Sequence, residues 1–344
     1  MMFLLTLVRK SLANRLLARP ARTVALSFAE AAAIARTGSD EHNIPWPTYF
    51  KAFGENKNPI YIYTTALLFK IFGISELNLR LTSATFFLLS AVVFFFTLNI
   101  LFRKRRDLVF FGMISFGFLP YFFTVSRISF EVISYLLWAT AIVATSAFLL
   151  KRRMSHRAFF LLGALIGTSI YTYSTARLLS AVSICILVLC LIEYKKNPQH
   201  SYLAISTKSL TSLAILLLAF LLSLIPYLQF TFENPGGLTG RFLAISYIDD
   251  PIPAHEKLAL FLKNYLQYWT PQFLLFRGEG NLRHSIGYAG AIYITTYILS
   301  LIALVSWIKK GTFTKDRFIR FFLLSWASAP IAAAMINEQH VLRT

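Results

Sequence analysis

The residues able to do chemistry in this chain stand where its apolar runs end. The run Thr37-Gly38-Ser39-Asp40-Glu41-His42 sets two adjacent carboxylates beside an imidazole. Such a pair serves as a general base, as ligands for a cation, or as solvated turn residues. Two aromatic segments follow, Pro45-Trp46-Pro47-Thr48-Tyr49-Phe50 and Asn58-Pro59-Ile60-Tyr61-Ile62-Tyr63. Trp and Tyr favour the headgroup level of a bilayer, and the prolines keep this stretch from forming one ordinary span. Residues 60–73, with Lys70 inside, read as a helix lying along the interface. Arg127 and Glu131 are four residues apart, which would set both on one side of a helix. A carboxylate at membrane depth is costly and marks either a site or a structural ion pair. Arg80 and Arg177 offer planar forks suited to phosphate, or snorkel to headgroups. Arg277, Arg283 and His284 form a further group suited to a phosphate or a sugar, whereas Asp249-Asp250-Pro251 reads as a turn. No histidines pair at helical metal-ligand spacing, so no metal site can be argued and no cofactor is expected; nothing supports a divalent ion.

Composition says what must position these groups. Of 344 residues, 56% are apolar, 16% aromatic and 14% charged, with a mean hydropathy of +0.60. Soluble domains carry about 25% charged residues, so a water-soluble globule and a disordered chain are both excluded. At about 20 residues per crossing, the apolar runs predict an all-α, polytopic transmembrane bundle of about eight spans. They fall near 82–102, 108–125, 130–150, 158–174, 178–194, 209–229, 287–308 and 318–336. The net charge of +19 would suggest nucleic acid in a soluble protein. Instead, 16 of the 34 cations fall in four alternate connections, Arg103–Arg106, Lys151–Arg157, Lys195–Lys208 and Lys309–Arg320. That alternation puts those connections in the cytoplasm and removes nucleic acid as a partner. The opposite face then carries two long loops, 37–81 and 230–286, with interfacial helices and most of the acids. Cys185 and Cys190 lie inside an apolar run and read as packing residues. Residues 1–36 form an atypical N-terminal segment, basic and without an adequate apolar run.

The stretch from Thr37 to Leu81 resembles the first outer loop of GT-C superfamily glycosyltransferases. The likeness is to the bacterial branch akin to protein mannosyltransferases and the lipid A aminoarabinose transferase. It rests on Thr37, Gly38, Asp40, Pro47, Phe50, Pro59, Tyr61, Tyr63, Ile71-Phe72-Gly73 and Arg80, with Arg127 and Glu131 matching an R-x-x-x-D/E feature at a later span. The resemblance implies transfer of a sugar from a polyprenyl-phosphate carrier in the bilayer to a protein, lipid A or glycan acceptor. The active face would be periplasmic, on a bacterial cytoplasmic membrane. It also implies an acidic base in the first outer loop. The family's acidic pair lies about a dozen residues before the Thr-Gly step, where this chain has Arg22 to Leu26. Glu30 is the nearest acid, so the base is Glu30, or Asp40 and Glu41 substitute, or the function is impaired; of these, Asp40 and Glu41 are placed near the acceptor, with Glu30 as the alternative base. Glu131 would assist the acceptor, with Arg127 orienting it; Arg80, Arg177 and Arg283 would meet the lipid phosphate, beside His284. Residues 37–344 read as one transferase domain, incomplete at its C-terminal end. The competing classes are a transporter or lipid flippase, which would show inverted repeats and mid-bilayer charges, and an inactive fragment.

Overall fold

The computed structural model describes residues 27–52, 55–127, 129–152, 155–196, 201–204, 207–277 and 290–337. A helix over residues 27–37, α1, stops at Gly38, whose amide bonds the Ile34 carbonyl at 2.9 Å and whose φ is +77°. That left-handed turn costs glycine nothing. A hairpin of β1 (Phe50–Ala52) and β2 (Glu55–Lys57) brings the chain to Pro59, which opens α2 (Pro59–Phe72) at a position where its missing N–H is no loss. The side chain of Ser75 then caps α3 (Glu76–Leu101) by accepting the Asn78 amide at 3.2 Å. Next come α4 (Arg106–Phe118) and α5 (Pro120–Arg127), bent 52° at the proline, then α6 (Val132–Lys151), α7 (His156–Thr168) and α8 (Ala176–Leu191). A second hairpin, β3 (Glu193–Lys196) and β4 (Ser201–Ala204), leads into α9 (Thr207–Glu233). Short α10 (Gly240–Ile245), α11 (Ala254–Gln267) and a π-helical turn, Gln272–Arg277, follow. The chain ends in α12 (Ile294–Lys309), α13 (Thr312–Lys315), α14 (Arg317–Ser328) and α15 (Ile331–Ala334).

Each stretch read as a span contains a helix, but the expected number of about eight is not reached. Among the described residues, α3, α6 and α9 are long and apolar enough to cross a membrane, and the bent α4–α5 pair makes a fourth if it is one span. Apolar runs do not reveal where helices stop. α7 breaks into a 3-10 turn at Ser169 after 13 residues, and α14 ends after 12, just before Pro330. The long helices expose Leu88, Leu89, Val92 and Phe96 on α3 and Leu218, Leu221, Leu222 and Ile225 on α9. Surface of that kind belongs against lipid, and a helix satisfies its own backbone there. The buried Cys190 and exposed Cys185 fit the packing role expected of them. α2 buries Tyr61, Ile62 and Phe69 in a core shared with α1, α3 and α6. Only its Leu67, Lys70, Ile71 and Phe72 side is exposed.

Two contacts set the frame. α7 crosses α9 at Gly163 and Gly167, where a Cβ would stand 2.1 Å from the Leu216 carbonyl oxygen and 2.5 Å from the Ser223 Cβ. Small residues four apart let helix backbones approach this closely. Beyond that crossing α9 carries Pro226. There the Tyr171 hydroxyl enters the helix ladder, donating to the Ser223 carbonyl at 2.8 Å and accepting the Tyr227 amide at 3.0 Å. At the other end of the bundle the basic connections meet. Arg152 donates to the Ile100 carbonyl at 2.6 Å, Lys151 pairs with Asp316, and Arg320 reaches the Leu189 carbonyl at 3.4 Å. These contacts bring together the C-terminal ends of α3, α6 and α8 and the start of α14. Gly163→Leu would force α7 off α9. It should lower stability by about 1–3 kcal/mol or more, read as a fall in melting temperature in detergent, with Gly163→Ala milder.

Candidate active site

Glu30 is on α1, two turns before Gly38, and is 0% exposed. Its helix joins the core through Ala31 and Ile34, which pack with Phe50, Tyr61 and Phe69. Its Oε2 accepts the Glu41 amide at 3.3 Å, while its Oε1 has no hydrogen-bond partner. Burial raises this carboxyl from the ordinary range to about 7; the Glu41 amide opposes the rise, and the charges of Glu41 and Asp40 add to it. A proton affinity near neutrality is what a general base needs.

The loop after α1 supplies that environment. Asp40, 3% exposed, accepts the amides of His42 at 2.9 Å and Ile44 at 2.8 Å on Oδ1, an Asx turn. Its Oδ2, like the Glu30 Oε1, is buried without a partner. Ser39 pairs with Pro45, and the Trp46 amide bonds the Gly38 carbonyl at 3.0 Å, so the loop closes on itself. The adjacent carboxylates therefore part company: Asp40 turns inward, while Glu41 is exposed beside His42, 3.7 Å away. Closing the loop needs φ of +62° at Asn43 and +44° at Trp46. For a bulky residue that is an outlier costing about 1–3 kcal/mol. Trp46 stacks on Tyr63, ring centres 6.0 Å apart, and the Tyr63 hydroxyl donates to the Pro47 carbonyl at 2.7 Å. Burial, and then the charge of Asp40, push the Tyr63 phenol up to about 12.

A second centre joins both long loops. Arg177, at the start of α8, donates to Asn58 Oδ1 at 3.0 Å and to the Leu238 carbonyl at 2.7 Å. The Asn58 amide in turn donates to Glu131 Oε2 at 3.1 Å. The guanidinium lies 5.6 Å from the ring centre of Tyr49, which packs on Phe230 and Tyr171. Arg177 Nε and the Tyr49 hydroxyl are both buried, and the two side chains face each other. Burial pushes the Tyr49 phenol well above its usual range, against the pull of Arg177.

The sequence-selected residues thus divide. Glu30, Asp40 and the Glu41 amide form one cluster; Glu131 and Arg177 meet in another through Asn58. Arg127 and Glu131 do not share a helix face, since α5 ends at Arg127 and α6 begins after Glu131; Arg127 lies 4.3 Å from the Phe123 ring centre instead. Arg80 is exposed and held by Glu76 at 2.6 Å. Arg283 and His284 lie outside the described residues. Among the described residues no three His, Cys, Asp or Glu side chains stand together as a metal site. Asn58, Tyr49 and Trp46 join these centres in the fold; in the sequence only the Asn-Pro step and the proline-flanked aromatics mark them.

The family model for dolichyl-phosphate-mannose-protein mannosyltransferase matches residues 56–228, half of the chain. The chain belongs to that family. No curated protein and no solved structure matches it. Family membership makes it an integral membrane glycosyltransferase of the polyprenyl-phosphate-sugar type. The matched stretch holds Asn58, Glu131 and Arg177 but stops short of Glu30 and Asp40, which the fold alone brings beside it.

A buried carboxyl whose proton affinity is raised makes folding less stable as pH rises. Between about 4.5 and about 7 the native state keeps the proton that the unfolded chain releases. Glu30→Gln should therefore leave the melting temperature unchanged near pH 4.5 and raise it at pH 8, by at most about 3 kcal/mol of stability.

Proposed function

We propose that this mannosyltransferase-family protein moves a sugar from a polyprenyl-phosphate donor to a hydroxyl acceptor on the outer face of a bacterial cytoplasmic membrane, with Glu30 as general base. The observation that carries this reading is the buried, unpartnered Glu30 Oε1, on a carboxyl raised to about 7, with the buried, unpartnered Asp40 Oδ2 on the neighbouring loop. The acceptor hydroxyl donates to Glu30 Oε1. As its oxygen bonds the anomeric carbon, its proton passes to Glu30. The bond from that carbon to the phosphate oxygen breaks, and the polyprenyl phosphate leaves with the electron pair. The Glu41 amide and the Asx turn of Asp40 hold Glu30 in place and keep its surroundings dry. Arg177, with the Tyr49 hydroxyl beside it, supplies positive charge for the leaving phosphate. Glu131 acts through Asn58, whose amide it accepts, and so positions Arg177. Arg80 and Arg127 serve headgroup contact at the edge of α3 and α5, and Arg283 and His284 are assigned to the sugar or phosphate from the second loop. In this reading α7, α8, α12 and α14 complete the eight crossings, and the four basic connections lie in the cytoplasm. The acceptor is a protein, lipid A or another glycan.

Transfer from polyprenyl-phosphate mannose, assayed with purified protein, tests the proposal. Glu30→Gln should lose about 10²–10⁴ of the rate while folding as well as the native chain. The native rate should rise with pH through about 7, because only the ionised base accepts a proton. Asp40→Asn keeps the Oδ1 acceptor but removes a neighbouring negative charge, so this limb should move to lower pH. Full activity in Glu30→Gln with an unshifted profile would sink the assignment.

A further inference from the structure

Trp46 is unused by the chemistry above, yet the loop is built around it. Its indole is 68% exposed, although one face lies on Tyr63 in a near-parallel stack of 16°. On the loop side the indole packs over Gly38, where a Cβ would stand at ordinary contact distance, 3.4 Å, from the ring. Its backbone is strained and pinned by the bond to the Gly38 carbonyl, two residues from Asp40. The backbone that carries the ring is therefore fixed by the loop itself.

Resting on the reading of Glu30 and Asp40 as the reaction centre, we propose that the exposed indole of Trp46 is a stacking platform for the sugar ring of the donor. A pyranose presents an apolar face of C–H groups and an equatorial rim of hydroxyls. An aromatic plate beside polar side chains matches both. The rim is present: Glu41, His42 and Asn43 are all exposed on the same turn. The donor's sugar is favoured over an acceptor's because every turnover brings a glycosyl group to the base, whereas the acceptor need not contain one. A mere headgroup anchor is less well matched, since it requires neither a strained backbone nor a flanking Glu-His-Asn run.

Equilibrium binding in the Glu30→Gln background separates these uses without turnover. The probes are polyprenyl-phosphate mannose and polyprenyl phosphate, in detergent. Trp46→Leu should weaken the mannosyl lipid about tenfold relative to the unchanged protein and leave polyprenyl phosphate unaffected. Trp46→Phe, which retains a ring, should recover most of the loss. Equal weakening of both lipids would make Trp46 a bilayer anchor and overturn the proposal, as would unchanged binding of both. A rise only in the KM for acceptor, measured with Glu30 intact, would assign the plate to the acceptor and overturn it as well. The failure of Glu30 as base would show in turnover and pH profile alone, so the two readings fail separately.

Discussion

A carboxyl group kept away from water is the constraint on which this end of the bundle is built. Burying an ionised carboxylate costs several kcal/mol unless its oxygens find donors. Glu30 has one, the Glu41 amide, and one oxygen with none. Holding it there requires α1 to stop sharply at Gly38, the next residues to fold back through the Asx turn of Asp40, and a core of α2, α3 and α6 to close underneath. The strain at Trp46 belongs to the same closure. A carboxyl stored at this cost is already close to the protonation balance that a base at neutral pH requires.

The Arg177 clasp is the complementary device. Each of its partners comes from a different part of the chain: Asn58 from the first loop, Leu238 from the second, Glu131 from the start of α6 through Asn58. Trp46 and Phe50 touch Tyr63, while Tyr49 and Asn58 touch the clasp, so the first loop contributes to both centres. Neither loop can shift without disturbing Arg177. The depth of the clasp is set in turn by α7 and α9, whose Gly163 crossing and Tyr171 bridge fix where α9 ends and the second loop begins.

Much of this was legible in the residues. Apolar runs located helices, and the alternating basic connections foretold that Ile100, Lys151, Leu189 and Asp316 would share one end. The Thr-Gly-x-Asp step and the proline-aromatic run pointed to the first outer loop. What was not legible depended on helix ends and on long-range packing. Hydropathy cannot show that α7 breaks at Ser169 or that α4 and α5 bend apart. The four-residue spacing of Arg127 and Glu131 holds only if one helix runs through both, and none does. Adjacent Asp40 and Glu41 were indistinguishable in sequence; only the direction of the turn buries one and exposes the other. Gly163 and Gly167 form a small-x-x-x-small pattern that would have located the α7–α9 crossing.

The central claim is that Glu30 holds its proton up to neutral pH, and infrared difference spectroscopy of the folded protein reads that proton directly. With Glu30→Gln as the reference, the account predicts a protonated-carboxyl band present at pH 5.5 and lost with a midpoint near 7. A Glu30 carboxyl already fully ionised at pH 5.5 would contradict it.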